Sequence, residues 1–187
     1  MDHKIIGLKG KGTRIKTSCI FTQILKFMNK KLYVYSKSDF LKFVSNNNWL
    51  EKFPERTAVI SICNVGESHN HIFDSDIYDN VLNVEFDDVS EKDPNFIDKE
   101  TAKNIVEFID KNVSCDIYIH CDAGKSRSQA VARYIMDVYP HDWETRAENP
   151  CITPNIDIVC ALKVVMYYED MKIVFEAMDS KNNLYLM

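Results

Sequence analysis

Long apolar runs are missing from this chain. No stretch of about 18 consecutive apolar residues occurs, so no membrane-spanning helix is expected. Paired cysteines are missing too. The six Cys, at positions 19, 63, 115, 121, 151 and 160, make no Cys-x-x-Cys pair and no zinc-type spacing. Met1–Thr17 is basic and glycine-rich rather than apolar, so no secretory signal is expected. These absences together predict a reducing, cytoplasmic setting. His69 and His71 stand close together but lack a third ligand at a defined spacing, and no metal and no cofactor is expected. Positive charge is in deficit, and the formal net charge of −5 argues against nucleic-acid partners and anionic membranes. The deficit is concentrated. Residues 74–110 hold 12 Asp and Glu against three Lys, either a solvated acidic face or a stretch that repels highly anionic substrates. Internal repeats and low-complexity segments are absent. Glycine is scarce, with five residues, three of them within the first 18.

What is present fits one domain. A chain of 187 residues can bury a substantial core, and 45% hydrophobic with 27% charged residues is an ordinary globular balance. Residues 1–18, with Lys4, Lys9, Lys11, Arg14 and Lys16, read as a basic, glycine-rich arm, and 19–187 as a single domain. Residues 19–29 read as a short helix or strand. Lys31–Tyr35 reads as a strand and Ser38–Asn46 as a helix capped by Ser38. Thr57–Cys63 (TAVISIC) has the β-branched character of a buried central strand. Gly66–Tyr78 is irregular, and Val81–Phe86 is a second central strand. Asp98–Asn112 is helical, with Ile105, Val106, Ile109 and Val113 on one face. Cys115–His120 is a strand, and Arg127–Tyr139 a helix whose Ala130, Val131, Tyr134, Ile135 and Val138 face the core. Pro140–Asn149 connects to a helix capped by Thr153, with Pro154 at its first position, running to about Glu169. Lys172–Met178 reads as a last helix. This alternation predicts an α/β fold, a central, mostly parallel sheet flanked by helices on both faces, with a site at a strand's carboxyl end.

The segment with the most chemistry is 115–139, CDIYIHCDAGKSRSQAVARYIMDVY. A β-like run leads to Cys121, then a short loop with one Gly, then Arg127 at the start of a helical pattern. A loop that ends at a helix start turns several N–H groups inward, where the helix dipole is positive. Such a nest binds an anion. Thiols in electropositive loops ionise readily, and the thiolate is the nucleophile. Arg127 offers two parallel N–H donors to two phosphate oxygens. Gly124 lets the backbone turn and approach closely. Ser128 is placed to donate to the sulfur, and His120 to orient the loop through hydrogen bonds. A Cys alone is most often a buried apolar residue; here His before it, Gly in the loop and Ser-Arg-Ser at the helix start mark a phosphate site.

His120-Cys121-Asp122-Ala123-Gly124-Lys125-Ser126-Arg127-Ser128 resembles the HCxxGxSRS loop of the dual-specificity branch of the cysteine-based protein tyrosine phosphatases. The motif covers these nine residues, and the order of elements extends the likeness over roughly 30–170. The resemblance implies a phosphatase-like α/β fold and a two-step reaction through a phosphocysteine. Cys121 is the implied nucleophile. Residues Asp122, Ala123, Gly124, Lys125, Ser126 and Arg127 form the implied phosphate-binding loop. The family also implies a general acid, an Asp on a loop some thirty residues upstream. Asp88, 33 residues before Cys121 at the end of a strand, matches it better than Asp87, with Asp93 as a further candidate. The expected substrate is a phosphorylated protein or peptide, through phosphotyrosine and also phosphoserine or phosphothreonine, because neither a WPD segment nor a phosphotyrosine-recognition segment is found.

Alternatives stay open at this level. Lys125 matches a basic residue in the loop of phosphoinositide phosphatases, whereas Asp122 stands where that loop is basic. Phosphoinositides, inositol phosphates and RNA 5′-phosphates are the rival substrates. A catalytically silent phosphopeptide-binding module and a sulfur- or arsenate-handling enzyme are the rival classes. Cys63, at the end of TAVISIC, occupies a place similar to that of a Cys that forms a protective disulfide in the phosphoinositide branch; an ordinary core role is the other reading.

Overall fold

Thr57–Cys63 is buried along its whole length, as expected of a strand with neighbours on both edges and cover on both faces. The structure, a computed structural model, describes residues 30–68, 71–140, 143–145 and 153–168, with the backbone alone at 143–145. The basic arm, the element expected over 19–29 and the helix expected over Lys172–Met178 lie outside the described residues.

The order is β1 (Lys30–Ser36), α1 (Lys37–Asn46), β2 (Thr57–Cys63), β3 (Val81–Glu85), α2 (Lys99–Lys111), β4 (Asp116–Cys121), α3 (Arg127–Val138) and β5 (Trp143–Thr145), followed by α4 over 156–168. The strands form one sheet in the order β3-β2-β4-β1-β5, and every pairing is parallel. The fold is α/β, as the strand–helix alternation predicts. The register sets Ser36 beside Cys121 and Ser61 beside His120.

Period-two alternation divides the strands between two cores. Leu32, Ala58, Ile60, Ile62, Ile117, Ile119 and Cys121 face α2, α3 and α4, in a cluster with Ile105, Ile109, Ala130, Tyr134, Ile158 and Leu162. Val59 and Tyr118 face the other way, against Phe40 and Val44 of α1 and the loop residues Trp49 and Phe73. That second layer is largely aromatic. Phe40 packs edge-on to Trp49 at 6.2 Å, and Tyr33 stacks on Tyr118 at 4.4 Å between ring centres.

Four details differ from the sequence expectation. Ser36, not Ser38, caps α1: its Oγ accepts from Asp39 N–H at 3.1 Å and donates to the Asp39 carboxylate at 2.7 Å. This reciprocal pair places the first turn two residues earlier. Val113 lies beyond the Asn112 C-cap of α2 and is exposed, so Ala102 and Phe108 complete the buried face instead. The stretch expected only to connect contains β5, three residues held by pairing with β1. Asn155, not Thr153, caps α4, its Oδ1 accepting from the amides of Asp157 and Ile158 at 3.1 and 3.4 Å.

Candidate active site

β4 ends at Cys121 and α3 begins at Arg127, so the five residues between them turn the chain across the carboxyl edge of the sheet. Gly124 makes the turn possible. Its φ is +67°, and a Cβ there would stand 2.5 Å from Ser36 N and 2.6 Å from the Tyr35 carbonyl carbon. Only glycine fits both the left-handed backbone and the contact with β1. Lys37 N–H donates to the Asp122 carbonyl at 3.2 Å, and Gln129 Nε2 to the Gly124 carbonyl at 3.1 Å. The loop is pinned from both sides.

The N-terminus of α3 has no side-chain cap. Ser126 occupies the capping position, but its Oγ donates to Asp88 Oδ1 at 2.7 Å instead. Among the described residues, no backbone carbonyl accepts from the amides of Ala123, Gly124, Lys125 or Ser126. A loop of unspent donors at the positive end of a 12-residue helix has the chemistry that suits an anion. Cys121, 2% exposed, lies at its base, with Sγ 3.2 Å from Ser128 Oγ. The Arg127 side chain is 6% exposed, and a buried guanidinium requires partners. Nη1 donates to the Phe86 carbonyl at 2.7 Å and Nη2 to Asp122 Oδ2 at 3.0 Å. These bonds engage two of the five N–H donors of a guanidinium. Lys125 is exposed beside them.

The three candidate acids are separated by where their carboxylates go. Asp88 is exposed and meets the loop through Ser126. Asp87 points away: its Oδ1 accepts from Val65 N–H at 3.1 Å and its Oδ2 from Asn95 Nδ2 at 3.0 Å. Asp93 accepts from Asn95 N–H at 2.9 Å within its own turn. Of the three, Asp88 alone bonds to the loop.

No protein-family model and no curated protein matches this chain. His120 departs from expectation. It is fully buried, stacks on Phe40 at 4.8 Å, and neither ring nitrogen has a hydrogen-bond partner among the described residues. Its contribution is packing beneath the loop, because β4 directs it into the aromatic layer rather than toward the loop backbone. Burial, helped by the nearby His71 and Lys37, pushes its pKa down to about 3, so it is neutral at physiological pH. Cys63 is also buried, and burial pushes its thiol up. His71 Nδ1 lies 2.7 Å from Ser61 Oγ and 3.5 Å from Cys63 Sγ. Among the described residues, no group of three His, Cys, Asp or Glu is placed to hold a metal ion; His69 lies outside them.

Two contributors escape the sequence reading. Thr153 Oγ1 donates to the Lys125 carbonyl at 3.0 Å, and Asn155 Nδ2 to Asp88 Oδ1 at 3.0 Å. The run Thr153-Pro154-Asn155 ahead of an apolar periodic stretch signals a helix start, but nothing local shows that the side chains of Thr153 and Asn155 reach back to two other loops. The Phe86 carbonyl is a backbone group and leaves no sequence signal at all.

Proposed function

We propose that this protein is a cysteine-dependent phosphatase that hydrolyses phosphotyrosine, and phosphoserine or phosphothreonine, in proteins, through a phosphocysteine intermediate. One observation carries the reading. The uncapped N-terminus of α3 and the unspent loop amides lie between Cys121, which ends β4, and Arg127, which the Phe86 carbonyl and Asp122 clamp, and the Asp88 carboxyl group bonds to the same loop through Ser126. The phosphatase-like character of the fold belongs to the same proposal.

In the first step the Cys121 thiolate attacks phosphorus. The loop amides and the remaining Arg127 donors bind the non-bridging oxygens, whose charge grows in the transition state. Asp88 gives its proton to the departing oxygen. In the second step Asp88 takes a proton from water as the water attacks the phosphocysteine. The S–P bond breaks, phosphate leaves, and Ser128 donates to the returning thiolate. A cysteine as nucleophile splits one difficult displacement into two easier ones.

Asp122 supports protein monoesters over polyphosphorylated inositols. Its carboxylate pairs with Arg127 at 3.0 Å with a side chain 43% exposed, so an acid stands where a polyphosphate site would need a base. The acidic residue Glu91 lies exposed on the neighbouring loop. Like charges juxtaposed in this way disfavour an anionic partner.

The test is turnover of an aryl phosphate by the purified chain in EDTA, with vanadate as inhibitor. The wild-type chain is expected to release phosphate and to be blocked by vanadate. Cys121→Ser is expected to lose turnover while still binding a phosphotyrosine peptide. Normal turnover in that variant would end the mechanism, and binding without turnover in the wild-type chain would favour a phosphopeptide-binding module.

A further inference from the structure

Asn155 uses both ends of its amide. Oδ1 caps α4 through the amides of Asp157 and Ile158. Nδ2 donates to Asp88 Oδ1 at 3.0 Å and to the Val89 carbonyl at 3.1 Å. Ser126 Oγ donates to the same Asp88 Oδ1 at 2.7 Å. Two donors therefore converge on one carboxyl oxygen, and Asp88 Oδ2 makes no hydrogen bond among the described residues. Two residues before Asn155, Thr153 holds the Lys125 carbonyl of the phosphate loop. Segment 153–155 thus ties both loops of the site to the start of α4.

We infer that Asn155 is a positioning residue for proton transfer, holding Asp88 by Oδ1 so that Oδ2 faces the leaving group. This rests on the phosphatase reading above, with Asp88 as the acid. An oxygen that already accepts two N–H or O–H donors is a poor place for a proton, so the transferable proton sits on Oδ2. As the S–P bond forms and the P–O bond breaks, that proton passes from Oδ2 to the departing oxygen. The resulting carboxylate keeps its two donors on Oδ1, where they stabilise the developing negative charge. In the second step Oδ2 takes a proton from the attacking water, the S–P bond breaks, and the acid is restored. The bond to the Val89 carbonyl holds the backbone next to Asp88, so the acid loop and its side chain are fixed together.

The experiment compares Asn155→Ser and Asn155→Asp with the wild-type chain on aryl phosphates of graded leaving-group quality. Both variants keep an oxygen that can cap α4 and remove the amide donor. The quantity is kcat/KM, which reports the steps through transition-state formation for P–O cleavage. For poor leaving groups it is expected to fall about tenfold in Asn155→Ser, a part of the roughly 10²–10⁴ that a general acid supplies. For a leaving group that needs no proton it is expected to stay unchanged. Asn155→Asp, which sets a second carboxylate beside Asp88, is expected to show the same split. An equal loss for all leaving groups would make Asn155 a scaffold residue and overturn the inference. So would wild-type behaviour in both variants while Asp88→Ala shows the split, and that result would leave the phosphatase reading intact. No turnover by the wild-type chain would overturn that reading and the inference with it.

Discussion

Cys121, Arg127 and Asp88 reach one loop from a strand end, a helix start and a separate connection. The first two are fixed to each other by a local turn. The third is not, and it carries the sharpest expectation at the residue scale. Asp88→Ala is expected to lower kcat/KM by about 10²–10⁴ for phenyl-type leaving groups and far less for strongly activated ones. Asp87→Ala is expected to act instead on stability, because it removes the acceptor for Val65 N–H and Asn95 Nδ2. Leaving-group dependence in the two variants, read beside their thermal midpoints, checks both; the reverse pattern would move the acid to Asp87. The thiol, the guanidinium, Gly124 and Ser128 were legible in the sequence because a single strand–loop–helix motif contains them. The choice between adjacent Asp residues was ranked by motif spacing but not decided by it. Successive side chains in extended backbone point opposite ways, and which one faces the loop depends on how the β3 end sits against its neighbours. His120 failed as a hydrogen-bonding residue for a related reason: the alternation that aims Cys121 at one face of the sheet aims His120 at the other.

At the scale of elements, caps decide where helices begin. Asp98 caps α2, its Oδ1 accepting from Thr101 N–H at 2.7 Å, far in sequence from the loop between β4 and α3. That backbone bond holds its carboxyl below the usual range. The folded form therefore favours the ionised carboxylate, and its contribution is present above the unfolded carboxyl pKa and lost as pH falls through the folded one. Asp98→Ala is expected to cost about 1 kcal/mol near neutrality, roughly 2–4 °C in Tm, with activity retained. Thermal denaturation at pH 7 beside a turnover assay checks this, and loss of activity without loss of stability would contradict it. The bodies of the long elements were legible from periodicity, since β2 and the apolar faces of α2 and α3 bury the residues that their spacing marks except Val113 and Val138 at the helix ends. Their ends were less so. Ser36 and Ser38 both suit a cap, and the reciprocal Ser36–Asp39 pair decides between them. β5 was illegible because three residues carry no period, and its pairing partner β1 lies more than a hundred positions away.

At the scale of the molecule, the parallel sheet brings the ends of β1, β3 and β4 to one edge, setting Ser36 beside Cys121 and the loop of Asp88 within reach of Ser126. The same sheet buries His120 under α1, and this gives stability a pH dependence. The burial-depressed pKa of about 3 stands against an unfolded value near 6.5, so between those values the unfolded chain binds the extra proton. Stability from this group is full above about pH 6.5 and falls as pH drops toward 3. Between pH 6.5 and 4.5 the loss is expected to be about 2 kcal/mol. Urea unfolding of wild type and His120→Asn at the two pH values checks it: the variant is expected to lose less on acidification, and parallel losses would remove His120 as the cause. The sequence by itself determined the α/β alternation, the loop that joins thiol to guanidinium, and the glycine at its turn, because each depends on neighbours within a few residues. Only the tertiary structure decided which Asp meets the loop, that Asn155 holds it, and that Asp122 and the Phe86 carbonyl clamp Arg127. Those contacts join segments 5 to 67 residues apart. All but the Asp122–Arg127 pair exist only once the sheet has set the strand ends side by side.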